Sequence, residues 1–300
     1  MSDYDSPWKE ALDHYFELFL AFFFSLIHGA IDWTQDYESL DQELQKLVPK
    51  GEVGRRLADK LVKVHSRDNG DVVYLHVEVQ TQKEAGFERR LHVYNYRAED
   101  RYNQPVVSLA VLGDDDPDWR PNQYAFQRWG CHKTFIFPVV KLLDYADRQA
   151  ELEAHPNPFG LLVLAHLQAR ATRHDAEARR AWKVRLIKGL YGRRLDAQDV
   201  RQWFRCIDWL LDLPPDLERQ AWEELARFEE EKRMTFLTSV ERIGMEKGQR
   251  IGMEKGQREG LLQGIEVGLK LKFGVADAPF LQALQQTDVE ILRTVLRGIE

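Results

Sequence analysis

The sequence predicts an α/β protein: a mixed sheet flanked by helices, followed by an all-helical C-terminal region. Three observations carry that class. Residues 57–64 and 72–80 read as two strands joined by Ser66-Arg67-Asp68-Asn69-Gly70-Asp71, in which Asn69-Gly70 is a strong short-range hairpin signal. Val106 to Leu112 is an apolar run of strand length, the pattern of a buried strand. After Asp147 the strand signals stop and only helical periodicities remain. Helices and strands interleave before that point, an order that packs helices against a sheet.

The elements follow from local chemistry. Pro7 to His28 reads as one helix, with Ser6 as N-cap and Pro7 at the first helical position. Its aromatic density (Trp8, Tyr15, Phe16, Phe19, Phe22, Phe23, Phe24) points to burial. A second helix is expected from Ser39 to Leu47, before the two hairpin strands. Glu84 to Tyr102 carries Phe87, Leu91, Tyr94 and Ala98 at helical spacing. The acidic loop Asp114-Asp115-Asp116-Pro117-Asp118 ends the buried strand, and strand-like pieces follow near Tyr124–Trp129 and Thr134–Leu142. Helical patterns then occupy roughly residues 158–172, 175–191, 197–211 and 217–238, with Pro214-Pro215 breaking the last two apart.

Three regions are expected: residues 1–146, 147–240 and 241–300. The last opens with Ile-Gly-Met-Glu-Lys-Gly-Gln-Arg twice over, at 243–258, and glycine recurs every fourth residue from Gly244 to Gly268. Each glycine costs a helix about 1 kcal/mol relative to alanine. Two readings stay open: a helix whose glycine stripe packs against another helix, as in a homo-oligomer, or a flexible charged linker.

Composition sets bounds. The net charge is −7, so any nucleic-acid contact needs a local basic surface. The richest basic stretch, Arg170 to Arg194, reads either as such a surface or as a solvated helix face. Two distant cysteines, Cys131 and Cys206, make neither a disulfide framework nor a zinc site, which fits a reducing, cytoplasmic setting. The apolar run Leu18–Ile27 falls short of the ~20 residues of a spanning helix, and the acidic N-terminus is unlike a signal peptide. No membrane association is expected.

The strand His76-Val77-Glu78-Val79-Gln80 carries the chemistry. Strand side chains alternate faces, so His76, Glu78 and Gln80 share one. A carboxylate and an amide there are costly to bury without partners. Asp59 precedes Glu78 by 19 residues, the separation of two strands and a turn. If the strands pair, both carboxylates can converge on one divalent ion, which would polarise a phosphate and lower the pKa of bound water. The competing possibility is that Glu78 and Gln80 face solvent on an edge strand. Lys60 should point away from the Asp59 face and Lys63 toward it.

The chain also resembles the Rpn family, the recombination-promoting nucleases that also carry the name transposase, within the PD-(D/E)XK nuclease superfamily. The resemblance rests on Tyr4-Asp5-Ser6-Pro7-Trp8-Lys9, Ile31-Asp32-Trp33, Arg56-Leu57-Ala58-Asp59-Lys60-Leu61-Val62, His76-Val77-Glu78-Val79-Gln80, Val93-Tyr94-Asn95-Tyr96-Arg97 and Phe137-Pro138-Val139-Val140-Lys141-Leu142-Leu143, together with the glycine-rich tail. It implies a restriction-endonuclease-like core and Mg2+- (or Mn2+-) dependent cleavage of DNA. Carried over by motif, Asp59 and Glu78 are metal ligands, the Val79 carbonyl is a third, and Gln80 completes the catalytic set. Two departures stand out. Gln80 occupies the usual lysine position, and Ala58-Asp59 replaces Pro-Asp. A glutamine carries no charge and exchanges no proton near neutral pH, so another residue would have to supply the cation. Accessory candidates are Glu43, Lys63, Tyr94 and Arg97. Two other readings stand beside the nuclease. One is a catalytically weak or inactive nuclease fold serving as a DNA-binding or oligomerising module. The other is acid–base hydrolysis by the carboxylate pair, for which no aromatic sugar platform is visible.

Overall fold

The computed structural model describes residues 5–41, 58–232 and 265. The chain divides into two compact units, Met1–Phe236 and Leu237–Glu300; the elements below all belong to the first. Glu43 and the glycine stripe at 244–268 lie outside the described residues apart from the single position 265.

The sheet is mixed. Strands β1 (Glu38–Ser39), β2 (Ala58–His65), β3 (Val72–Gln80), β4 (Val106–Leu112) and β7 (Val139–Lys141) lie side by side in the order β1-β2-β3-β4-β7. The β1–β2 and β2–β3 pairs are antiparallel, while β3–β4 and β4–β7 are parallel. Helix α4 (Phe87–Tyr102) makes the crossover from β3 to β4. It covers one face, where Phe87 and Leu91 meet Ala110 and Leu112, and Ala98 meets Leu61 and Tyr74. Helix α1 (Asp5–His14) packs against β2. Lys60 reaches it there, 2.8 Å from Asp13 and 3.0 Å from Asp41, so Lys60 does turn away from the α4 face.

The N-terminal aromatic helix is broken, not continuous. It forms α1, α2 (Phe16–Phe23) and α3 (Ser25–Ala30), with non-helical backbone at Tyr15 and Phe24. The breaks aim the aromatics at different partners. Tyr15 stacks on Trp203 at 4.6 Å and hydrogen-bonds Asp199, Phe22 meets His155 and Tyr145, and Phe19 and Phe23 surround Phe159. Glu38–Ser39 pairs with β2, so Ser39 does not open the helix expected over 39–47; Asp41 is helical, and residues 42–47 lie outside the described residues. The strand-like pieces after residue 122 also divide differently. Strands β5 (Gln123–Arg128) and β6 (Cys131–Ile136) form a separate two-stranded ribbon, and only β7 joins the main sheet.

Helices α5 (Gln149–Ala154), α6 (Phe159–Ala171), α7 (Ala176–Tyr191), α8 (Ala197–Leu210) and α9 (Pro215–Lys232) follow; α5 has no counterpart in the sequence reading. Trp8 ties α1 to α6: its indole N–H donates to His166 Nδ1 at 3.3 Å, and its ring stacks on Phe159. His166 Nε2 lies 2.7 Å from the Gly113 carbonyl at the end of β4. This histidine is wholly buried, and burial pushes its pKa down to about 4. Cys131 is exposed, Cys206 is buried, and both are free thiols. Among the described residues no helix is long and apolar enough to cross a membrane.

Candidate functional site

The site is built on the β2–β3 hairpin. Gly70 takes the left-handed conformation (φ 74°) that its turn needs, Ser66 N–H donates to the Asp71 carbonyl at 2.8 Å, and Asn69 Oδ1 accepts from Asp71 N–H. The register that follows sets Asp59 directly opposite Glu78 and Ala58 opposite Val79. On its other side Glu78 pairs with Ala110 of β4. β3 is therefore a central strand, and Glu78 is 0 % exposed. The solvent-facing alternative for Glu78 and Gln80 falls on that observation. The side chain of Asp59 lies outside the description.

A buried carboxylate needs compensation, and Arg90 supplies it. Helix α4 starts from Gly86 in a left-handed conformation, and Arg90 sits one turn in, 7 % exposed. Its guanidinium pairs with Glu78, donates to Gln80 Oε1 at 3.0 Å and to Glu84 Oε2 at 3.3 Å, and lies near the rings of Phe87 and Tyr94. Gln80 in turn donates from Nε2 to the Gln82 carbonyl at 2.7 Å. The amide is thereby oriented, oxygen toward the arginine. A permanent cation thus stands beside Gln80, contributed by the next helix. Sequence reasoning passed over Arg90, although a signal was present. It falls on the same stripe as Phe87, Leu91 and Tyr94, and a charge on an apolar stripe calls for a buried partner.

The neighbouring positions are structural in their contacts. His76 Nδ1 is 3.2 Å from Ser108 Oγ, and Asn95 Nδ2 donates to that same oxygen and to the Val106 carbonyl. Burial, and then the Arg90 charge, push the His76 pKa down to about 3, so the ring is neutral at pH 7. Tyr94 is buried edge-on to His76. The Val79 side chain is in the core. Lys63 lies about 13 Å along β2 from position 59 and is drawn toward Glu38 on β1, at 3.7 Å. Arg97 is half-buried, two turns beyond Arg90 on α4. Among the described residues no three His, Cys, Asp or Glu side chains gather as a metal cluster, a set that leaves out Asp59 and Glu43.

Most cations of the basic stretch from 170 to 194 are engaged by acids or carbonyls within the fold. Lys183 meets Asp208 and Glu218, Arg180 and Lys188 share Glu224, Arg185 meets Glu153, and Arg179 and Arg193 donate to backbone carbonyls. Two open clefts lie elsewhere. One, of about 410 Å³, is lined by Arg120, Lys141, Asp144 and Arg148 among others, and the other, of about 680 Å³, includes Asp115, Arg170, Arg173 and His174. Comparison with protein-family models, with curated proteins and with solved structures finds no match for the chain in any of the three.

Proposed function

We propose that the chain is a divalent-metal-dependent endodeoxyribonuclease with a PD-(D/E)XK-like core, hydrolysing DNA phosphodiesters and assisting recombination. The observation that carries the reading is the register between β2 and β3, with Asp59 opposite a buried Glu78 on adjoining strands of a mixed sheet. The donor chemistry suits a hard cation: carboxylates at 59 and 78 and the Val79 carbonyl would hold Mg2+ or Mn2+. Such an ion would polarise the phosphate and acidify bound water.

The chain's own residues divide the remaining work. Gln80, held by Arg90 and the Gln82 carbonyl, has a fixed amide with which to orient a water or phosphate oxygen. Arg90 exchanges no proton, but its charge, beside Gln80, would offset negative charge growing on a phosphate, the usual task of a preorganised donor. Supercoiled DNA incubated with the full chain and Mg2+ should be nicked. EDTA, Asp59→Ala and Glu78→Ala should each abolish nicking. Cleavage that survives both substitutions overturns the site.

One observation favours a second reading, a weak or inactive nuclease fold that binds DNA. Arg90 already neutralises Glu78 and competes with any metal for it. A wild-type protein that binds duplex DNA but cuts nothing with Mg2+ or Mn2+ would select this reading.

A further inference from the structure

The β5–β6 ribbon has features that the catalytic face does not explain. Each strand has six residues, giving an arm about 20 Å long. It stands outside the main sheet and is exposed at nearly every position. Its root is anchored: Tyr124 stacks on His92 of α4 at 5.0 Å, and Phe135 meets His92 and Phe137. The outer half buries almost nothing, so packing does not account for its composition.

That composition is one-sided. Residues 119–143 contain no aspartate or glutamate, in a chain with 49 acids and a net charge of −7. Arg128 and Lys133 have no acidic partner among the described residues; their contacts are with the faces of Trp129 (4.6 Å) and Tyr96 (5.8 Å). The cations of residues 179–193 contrast with this, being consumed by acids and carbonyls. At the root, His92 is held below its ordinary pKa by burial and then by Lys133 and Arg89, two positive neighbours.

The tip is unusual in its own right. Trp129 and Gly130 both have positive φ, 49° and 81°, the arrangement of a two-residue hairpin turn in which Asn-Gly is the favoured pair. A tryptophan in the first position is backbone strain that the turn does not require. Its ring is 93 % exposed. Strain retained at an exposed aromatic is a reason to look for a partner there.

We infer that this ribbon is the arm with which the protein grips duplex DNA, Trp129 entering a groove and Arg128 and Lys133 meeting phosphates on either side. The identity of the polyanion rests on the nuclease reading above; the arm itself rests on the ribbon's shape and charge. A two-stranded ribbon fits the major groove, and an apolar or aromatic wedge between base steps is a recurring way to hold a duplex. Because the root packs on α4, the helix that carries Arg90, a duplex held by the arm lies against the element that leads to Glu78.

The test uses the full chain, a fluorescein-labelled 24-base-pair duplex and anisotropy in EDTA, across a salt series. Arg128→Ala/Lys133→Ala should weaken binding and reduce the slope of log K against log salt by about 2. Trp129→Ala should weaken binding about 10-fold with the slope unchanged. All three side chains are solvent-facing, so circular dichroism and the melting temperature should match the wild type. Variants that bind like the wild type overturn the arm, whatever the nicking assay gives. So does a wild type with no affinity for duplex, or a Trp129→Ala change that dissociates an oligomer in light scattering and leaves DNA affinity intact. Ribbon-dependent binding without any cleavage would leave the arm standing and remove the nuclease.

Discussion

Arg90→Met tests whether the Glu78–Arg90 pair is the electrostatic keystone of the sheet face beneath α4. Glu78 is 0 % and Arg90 7 % exposed, so water screens the pair little. Removing the guanidinium strands a buried carboxylate and also takes donors from Gln80 and Glu84. Breaking a buried pair from one side costs about 3–5 kcal/mol, against a typical total stability of about 5–15 kcal/mol. With a urea m-value of about 2 kcal/mol/M, the unfolding midpoint should fall by roughly 2 M. Glu78→Gln/Arg90→Met removes both charges and should be more stable than the sum of the single changes predicts, by about 1–3 kcal/mol. The assay is urea unfolding followed by circular dichroism at pH 7.5 in EDTA, for the wild type, both single variants and the double. Additive effects, or an Arg90→Met midpoint equal to wild type, would refute the pairing.

Three further outcomes follow from the same structure. His166 is neutral in the fold, with a pKa near 4 against an ordinary 6.5, so the unfolded chain binds the extra proton; stability is full above pH 6.5 and declines as pH falls toward 4. From pH 6.5 to 5.0 that loss is about 1.5 kcal/mol, and His166→Gln should reduce the pH dependence of the denaturation midpoint over this range by that amount, leaving the share due to the equally buried His76. A Cβ on Gly160 would meet the Leu152 carbonyl oxygen at 2.6 Å, whereas one on Gly189 meets only side-chain atoms, the nearest at 3.4 Å. Gly160→Ala should therefore lower the melting temperature, at a cost of about 1–3 kcal/mol. Gly189→Ala, in a helix interior, should leave the melting temperature unchanged or raise it, by up to about 1 kcal/mol. If Arg90 is the cation that Gln80 is not, Arg90→Gln should slow Mg2+-dependent nicking by about 100-fold or more, while Lys63→Ala, already committed to Glu38, should leave the rate unchanged.

Legibility in the sequence followed the range of the interaction. β4 was readable to the residue because six apolar side chains interrupted only by Ser108 admit few alternatives, and the β2–β3 hairpin because Asn69-Gly70 specifies its own turn. The two-residue β1 is too short to show a period and exists only by pairing with β2. The breaks at Tyr15 and Phe24 answer to Trp203, Phe159 and His155, far along the chain. Arg90 was overlooked because its partner lies on another element.

Backbone period and turn chemistry are local, so the sequence alone determined the strands, their hairpin and the positions 59, 78 and 80 that the register brings into line. Charge is not local. Only the tertiary structure decided that Lys183 and Arg185 are spent on Asp208, Glu218 and Glu153, that Arg90 answers Glu78, and that Arg128 and Lys133 meet no acid among the described residues on an exposed arm. The field a cation presents depends on which acids the fold brings within a few ångströms of it, and those acids come from anywhere in the chain.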